Sequence, residues 1–199
     1  MQACLNWYLA KEAVAISKQV SLTRDVFGAR LDSFFDETGR LGLAQEKASL
    51  LTAIIGEIGN NCFDHNAGQW SDTPGCWFET VLRKDIFQVW IADRGRGIFS
   101  SLKSVDPNIS TDQAALEIAF EKRISGRAPE RRGNGLKFVR AVINGGPGRG
   151  LLCLSGSAQL KMGGFAKEMD AVLEKLNHKM GRGVFSLVYW DTRNENQSL

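Results

Sequence analysis

Three groups of residues have the types and spacings of a ligand site. If 44–65 is a helix, an advance of about 100° per residue puts Asn61 about 40° from Glu57, and Asp64 about 20° to the other side of it. This polar ridge borders an apolar stripe of Leu51, Ile55, Ile58 and Cys62, so it lies at a core edge where a carboxylate or amide needs a partner. Mg²⁺ is such a partner, since it takes one or two protein oxygens together with water and phosphate oxygens. Asn61 offers a neutral oxygen, and Glu57, one turn earlier, could hold a water or hydroxyl. Read alone, the same ridge is also a solvated helix face. The second group is Asp93-Arg94-Gly95-Arg96-Gly97, after a strand-like run. An Asp here could accept from an exocyclic amine while the glycines let a flat ring lie against the chain, though a tight turn has the same signature. The third is Gly133-Asn134-Gly135 at a helix start, where open N–H groups attract anions. Arg131, Arg132 and Lys137, with Lys122, Arg123 and Arg127 upstream, add local positive charge there, or form a solvated basic loop.

The elements that would position these groups follow from periodicity. Leu5, Leu9, Ala13, Ile16 and Val20, then Val26, Phe27, Leu31, Phe34 and Phe35, predict a helical pair over 1–43. A helix over 44–65 comes next, then a hairpin of strands 76–83 and 86–92 turning at Lys84-Asp85. From 99 to 132 the chain reads as polar and loop-rich, with one helix starting near Ser110, where Ser110 and Gln113 have capping-box spacing. A short helix 136–143, a strand 151–155, an amphipathic helix carrying Met169, Val172, Leu173, Leu176 and Met180, and a strand 183–190 complete the order. Both faces of that last strand are apolar and so should be covered. The expected fold is α+β, a two-layer sandwich of helices on a mixed, mostly antiparallel sheet. It divides into a helical N-terminal extension 1–43, a core domain 44–190 and a polar tail 191–199.

No GxxxxGK[ST] occurs, and Gly95, Gly97 and Ser100 miss the dinucleotide pattern at its third glycine, so neither a P-loop nor a Rossmann site is expected. Taken in order, Glu57-Ile58-Gly59-Asn60-Asn61-Cys62-Phe63-Asp64-His65 resembles the N box of the GHKL ATPase superfamily. Asp93-Arg94-Gly95-Arg96-Gly97 resembles its DxGxG box, and Gly133-Asn134-Gly135-Leu136 its GxGL box. The resemblance covers about 45–190 and implies the GHKL ATP-binding fold with ATP and Mg²⁺ as ligands. It implies that Asn61 holds the metal, Asp93 reads the adenine amine, and Gly95, Gly97 and Ile98 line the base. Asp64, His65, Arg132, Asn134, Leu136 and Lys137 would complete the nucleotide site. Gly133 and Gly135 would hinge a lid over 99–132, and Glu57 takes the general-base position.

The departures from that pattern shape the function expected. His65 and His178 are the only histidines, so autophosphorylation on an upstream histidine is not expected of this chain. Only nine residues follow Trp190, so a second domain that would supply a lysine to the γ-phosphate is not expected. The last strand reads Gly183-Val184-Phe185-Ser186, so Ser186 or Ser155 is expected to complete the adenine contact, and 157–182 reads as a helical insertion. His65, four residues after Asn61, and Glu57 favour a protein kinase or phosphate-transfer module similar to the anti-sigma-factor kinases. The alternative is a nucleotide-gated interaction switch with a protein partner. Segment 1–43 could dimerise, dock that partner or cover the sheet, with Phe27, Phe34 and Phe35 expected in the core.

Composition narrows the classes further. Twenty-five Lys+Arg against 22 Asp+Glu give a net charge of +3, too small for nucleic-acid or membrane binding by bulk charge. No apolar run approaches the roughly 20 residues of a membrane helix, and no basic residue precedes Lys11, so the chain reads as soluble and cytoplasmic. Cys4, Cys62, Cys76 and Cys153 lack metal or dithiol spacing and are expected to be reduced thiols.

Overall fold

The computed structural model describes residues 2–12, 17–66, 70, 72–121 and 134–193. Its centre is a six-stranded sheet in the order β1-β2-β3-β6-β4-β5, built from β1 (Val20–Ser21), β2 (Cys76–Arg83), β3 (Ile86–Ala92), β4 (Arg149–Ser155), β5 (Ala158–Gly163) and β6 (Val184–Asp191). Every pairing is antiparallel, so the expected mixed sheet is corrected to a wholly antiparallel one. The long hairpin β2–β3 pairs Trp77 with Ala92 and Arg83 with Ile86, and β6 inserts between β3 and β4. That placement explains why β6 has both faces apolar: its residues from Phe185 to Trp190 are all buried.

One face of the sheet carries α2 (Arg24–Arg40), α3 (Gln45–Asp64), α5 (Asp112–Glu121) and α6 (Gly135–Asn144). Leu51, Ile54, Ile55 and Ile58 of α3 pack there with Phe27 and Phe34 of α2 and with Phe78, Val89, Ile91 and Val188 of the sheet. The two phenylalanines are therefore core, as expected, and they meet Phe78 edge-on. The opposite face has its own core, in which α1 (Gln2–Leu9) and α7 (Ala166–Leu176) cover Trp77, Trp90, Leu152 and Phe185. The two-layer arrangement thus holds for the sheet with α2, α3, α5 and α6, and α1 and α7 cover the opposite face.

Three expectations are corrected. The N-terminal stripe does not run on as a helical pair: α1 stops at Leu9, residues 13–16 lie outside the described residues, and Val20–Ser21 pairs with Trp77 and Cys76 as an edge strand. Segment 157–182 is not a helical insertion, because β5 forms a hairpin with β4 before α7 begins, and Met180 lies past that helix with 64% of its surface exposed. The described part of the 99–132 segment has, besides the expected helix near Ser110, a second one before it, the two joined by turns over 104–111. It holds α4 (Gly97–Lys103) and α5, closed around Leu102, Ile109 and Ala115. Thr111, not Ser110, caps α5, its hydroxyl accepting from Ala114 N at 3.1 Å.

Candidate functional site

A cavity of about 550 Å³ opens between α3, the ends of β3, β4 and β6, and the starts of α4 and α6. The three sequence groups converge on it. Glu57, Asn61, Asp64 and His65 line it from α3 and its C-terminal end, Asp93, Gly97 and Ile98 from the turn after β3, and Asn134, Gly135 and Leu136 from the start of α6. Gly95 and Lys137 do not line it, and Arg132 and Gly133 lie outside the described residues.

Among the polar groups of the lining, Asp93 is buried, only 2% exposed. Its Oδ1 accepts from Gly95 N at 2.8 Å and from Asn66 Nδ2 at 3.0 Å. Burial pushes its carboxyl up to about 7, against the downward pull of the Gly95 N–H, Asn66, Cys62 and Val184 hydrogen bonds. Asn66, which the sequence analysis missed, also donates to Cys62 O at 2.9 Å and accepts from Arg96 N at 3.0 Å. A Cβ on Gly95 would overlap the Asn66 amide, which accounts for the glycine at this close approach. A signal for Asn66 was present: it lies four residues beyond Cys62, in phase with the apolar stripe, where a polar side chain must be satisfied by hydrogen bonds.

Beyond Asp93 the turn is held from both sides. Ser155 Oγ accepts from Ile98 N at 2.9 Å, so Ser155 supports the turn, whereas Ser186 lines the cavity and donates to Cys153 Sγ at 3.5 Å. Arg94 points to the opposite side of the sheet, wholly buried, where its guanidinium donates to Trp7 O and Glu12 O, pairs with Asp72 and lies 5.7 Å from the Trp7 ring.

At the mouth, Asp64 pairs with Arg24 of α2, a cavity-lining residue forty positions away that no local pattern connects to it. His65 is held below its ordinary range, chiefly by burial and then by Arg96, so its imidazole is neutral at pH 7. A Cβ on Gly135 would meet the Glu57 carboxylate, so the start of α6 abuts that residue. Asn134 makes no side-chain cap there, and a helix start of this kind attracts anions.

Among the described residues no cluster of three or more His, Cys, Asp or Glu could hold a metal by itself. The donor set at the mouth is instead an amide and carboxylates, hard oxygens that fit Mg²⁺ when most of its coordination comes from phosphate and water. No protein-family model matches the chain, and no curated protein does. Among the described residues, no helix is long and apolar enough to cross a membrane.

Proposed function

We propose that the cavity binds ATP with Mg²⁺ as a GHKL-type nucleotide site and that the protein transfers or hydrolyses the terminal phosphate. The observation that carries this reading is the convergence of residues 57–66, 93–98 and 134–136, distant in sequence, on one cavity with a buried carboxyl at its inner end. Its volume, about 550 Å³, suits a nucleotide-sized ligand. The base lies at the Asp93 end and the phosphates run along α3 toward Glu57, where the N-terminus of α6 supplies N–H donors. Asn61 holds the metal, which when bound supplies positive charge against the phosphate oxygens. Glu57 orients a water or a protein hydroxyl for attack.

Calorimetry with ATP and Mg²⁺ tests the site: micromolar to millimolar binding is expected, and no heat at millimolar nucleotide removes the proposal. Glu57→Gln separates binding from chemistry. It should bind ATP within about threefold of the parent and lose 10²-fold or more of its turnover. A variant that turns over at the parental rate removes the base assignment.

The second reading, a nucleotide-gated switch, is favoured by one observation. Arg94, between two residues of the base-binding turn, is bonded to the main chain of Trp7 and Glu12, so a change in that turn reaches the N-terminal segment. Incubation with γ-labelled ATP and cell extract tests them: label on a partner protein means kinase, free phosphate alone means an ATPase or a switch that hydrolyses, and binding without turnover means a switch.

A further inference from the structure

We propose that Asn66 is a positioning residue that fixes the hydrogen-bonding sense of Asp93 and thereby selects a 6-aminopurine over a 6-oxopurine. The inference rests on the nucleotide reading above. Asn66 is 3% exposed and its amide cannot be turned over: Oδ1 must face the Arg96 N–H at 3.0 Å, which obliges Nδ2 to face Asp93 Oδ1. Gly95 N–H converges on that same oxygen. With two donors on Oδ1, any proton the carboxyl takes up must reside on Oδ2. Ionised, Asp93 presents an acceptor to the cavity, which matches an exocyclic amine. Protonated, it presents an O–H donor, which matches a ring carbonyl.

The balance between these forms lies near neutrality, because burial raises the carboxyl to about 7 while the hydrogen bonds from Gly95, Asn66, Cys62 and Val184 oppose the rise. Among the described residues, titratable groups that interact with it are the Cys62 thiol of α3, the Cys153 thiol of β4 and the Tyr8 hydroxyl of α1. All three are uncharged at neutral pH: Cys62 is raised by its hydrogen bond with Cys76 and by burial, Cys153 to about 12 by burial, and Tyr8 by burial. The Asn66 amide therefore has no charged competitor among them.

The test measures ATP and inosine triphosphate affinities from pH 5.5 to 8.5. The parent protein should prefer ATP at pH 8.5 by at least tenfold and lose most of that preference by pH 5.5. Asn66→Ala, which removes the donor, should move the midpoint of this change upward by about one pH unit. Asp93→Asn should prefer inosine triphosphate at every pH, because with Asn66 and Gly95 on its Oδ1 the new amide turns Nδ2 to the cavity. That reversal should disappear in the double variant Asp93→Asn/Asn66→Ala. A preference for ATP that stays flat with pH in the parent, or an Asn66→Ala midpoint that does not move, overturns the inference while leaving ATP binding intact. Should Asn66→Ala fail to fold, the parent's pH profile and the Asp93→Asn preference decide it. If the parent binds neither nucleotide, the site assignment itself falls, and this inference with it.

Discussion

At pH 8, Asp93→Asn is expected to melt higher than the parent protein and to bind ATP at least 100-fold more weakly. Both effects come from one buried carboxyl. Its ordinary value is 3.8 and in the fold it is pushed up to about 7, so between those values the folded state holds a proton that the unfolded chain has released. Stability therefore falls as pH rises through that window. The cost is fully present above pH 7 and absent below about pH 4. A rise of about three units corresponds to an upper bound of about 4 kcal/mol, and relaxation of the site brings the expected gain to roughly 2–3 kcal/mol, or about 5–10 °C in Tm at this chain length. The Asn side chain keeps an oxygen for Gly95 N–H and Asn66, so those two bonds survive, but it turns a donor toward a ligand amine that needs an acceptor. Thermal melts at pH 8 and pH 4, beside ATP titrations, decide it. A variant that melts no higher at pH 8, or that keeps its gain at pH 4, contradicts the charge-burial argument, and parental ATP affinity contradicts the base assignment.

The α3 ridge, the β2–β3 hairpin and the turn after β3 were legible because each is a local pattern: a 3.6-residue stripe, two strand-like runs joined by a two-residue turn, and an acidic residue before glycines. Strand β5 was not legible. It buries little beyond Ala158, exposes Gln159, Lys161 and Gly163, and sits at the edge of the sheet, so one half-buried face gave too weak an alternation to stand out from a polar stretch. The end of α1 was hidden for the opposite reason. Cys4, Leu5, Trp7 and Tyr8 are all buried, so packing against the sheet decided the helix and not its apolar stripe. At the site, spacing placed Glu57, Asn61 and Asp93, but the pairings Asn66–Asp93 and Arg24–Asp64 join residues 27 and 40 positions apart. Such contacts depend on how helices seat on the sheet, and no single-sequence period encodes that.

Arg94→Met should be the most destabilising single change in the turn that carries Asp93. The guanidinium is wholly buried and answers Asp72, Trp7 O and Glu12 O together. Its hydrogen bonds hold the Asp72 carboxyl below the ordinary carboxylate range, with Arg182, 3.6 Å away, contributing less. Truncation leaves that carboxylate, whose side chain is 8% exposed, with Arg182 as its remaining cation among the pairs described. Removing one partner of a buried pair costs about 3–5 kcal/mol, a drop of roughly 10 °C or more in Tm for a chain of this length. Asp72→Leu combined with Arg94→Met removes the stranded charge and should recover more than half of the loss, since apolar replacement of both partners is often close to neutral. The double variant then isolates what the pair does beyond stability. If Arg94 ties the base-binding turn to the N-terminal segment, ATP should slow tryptic cleavage at Lys11 in the parent protein and have no such effect in the folded double variant. A single variant that loses less than 1 kcal/mol refutes the buried-pair account, and ATP protection that survives in the double variant refutes the link between nucleotide and N-terminus.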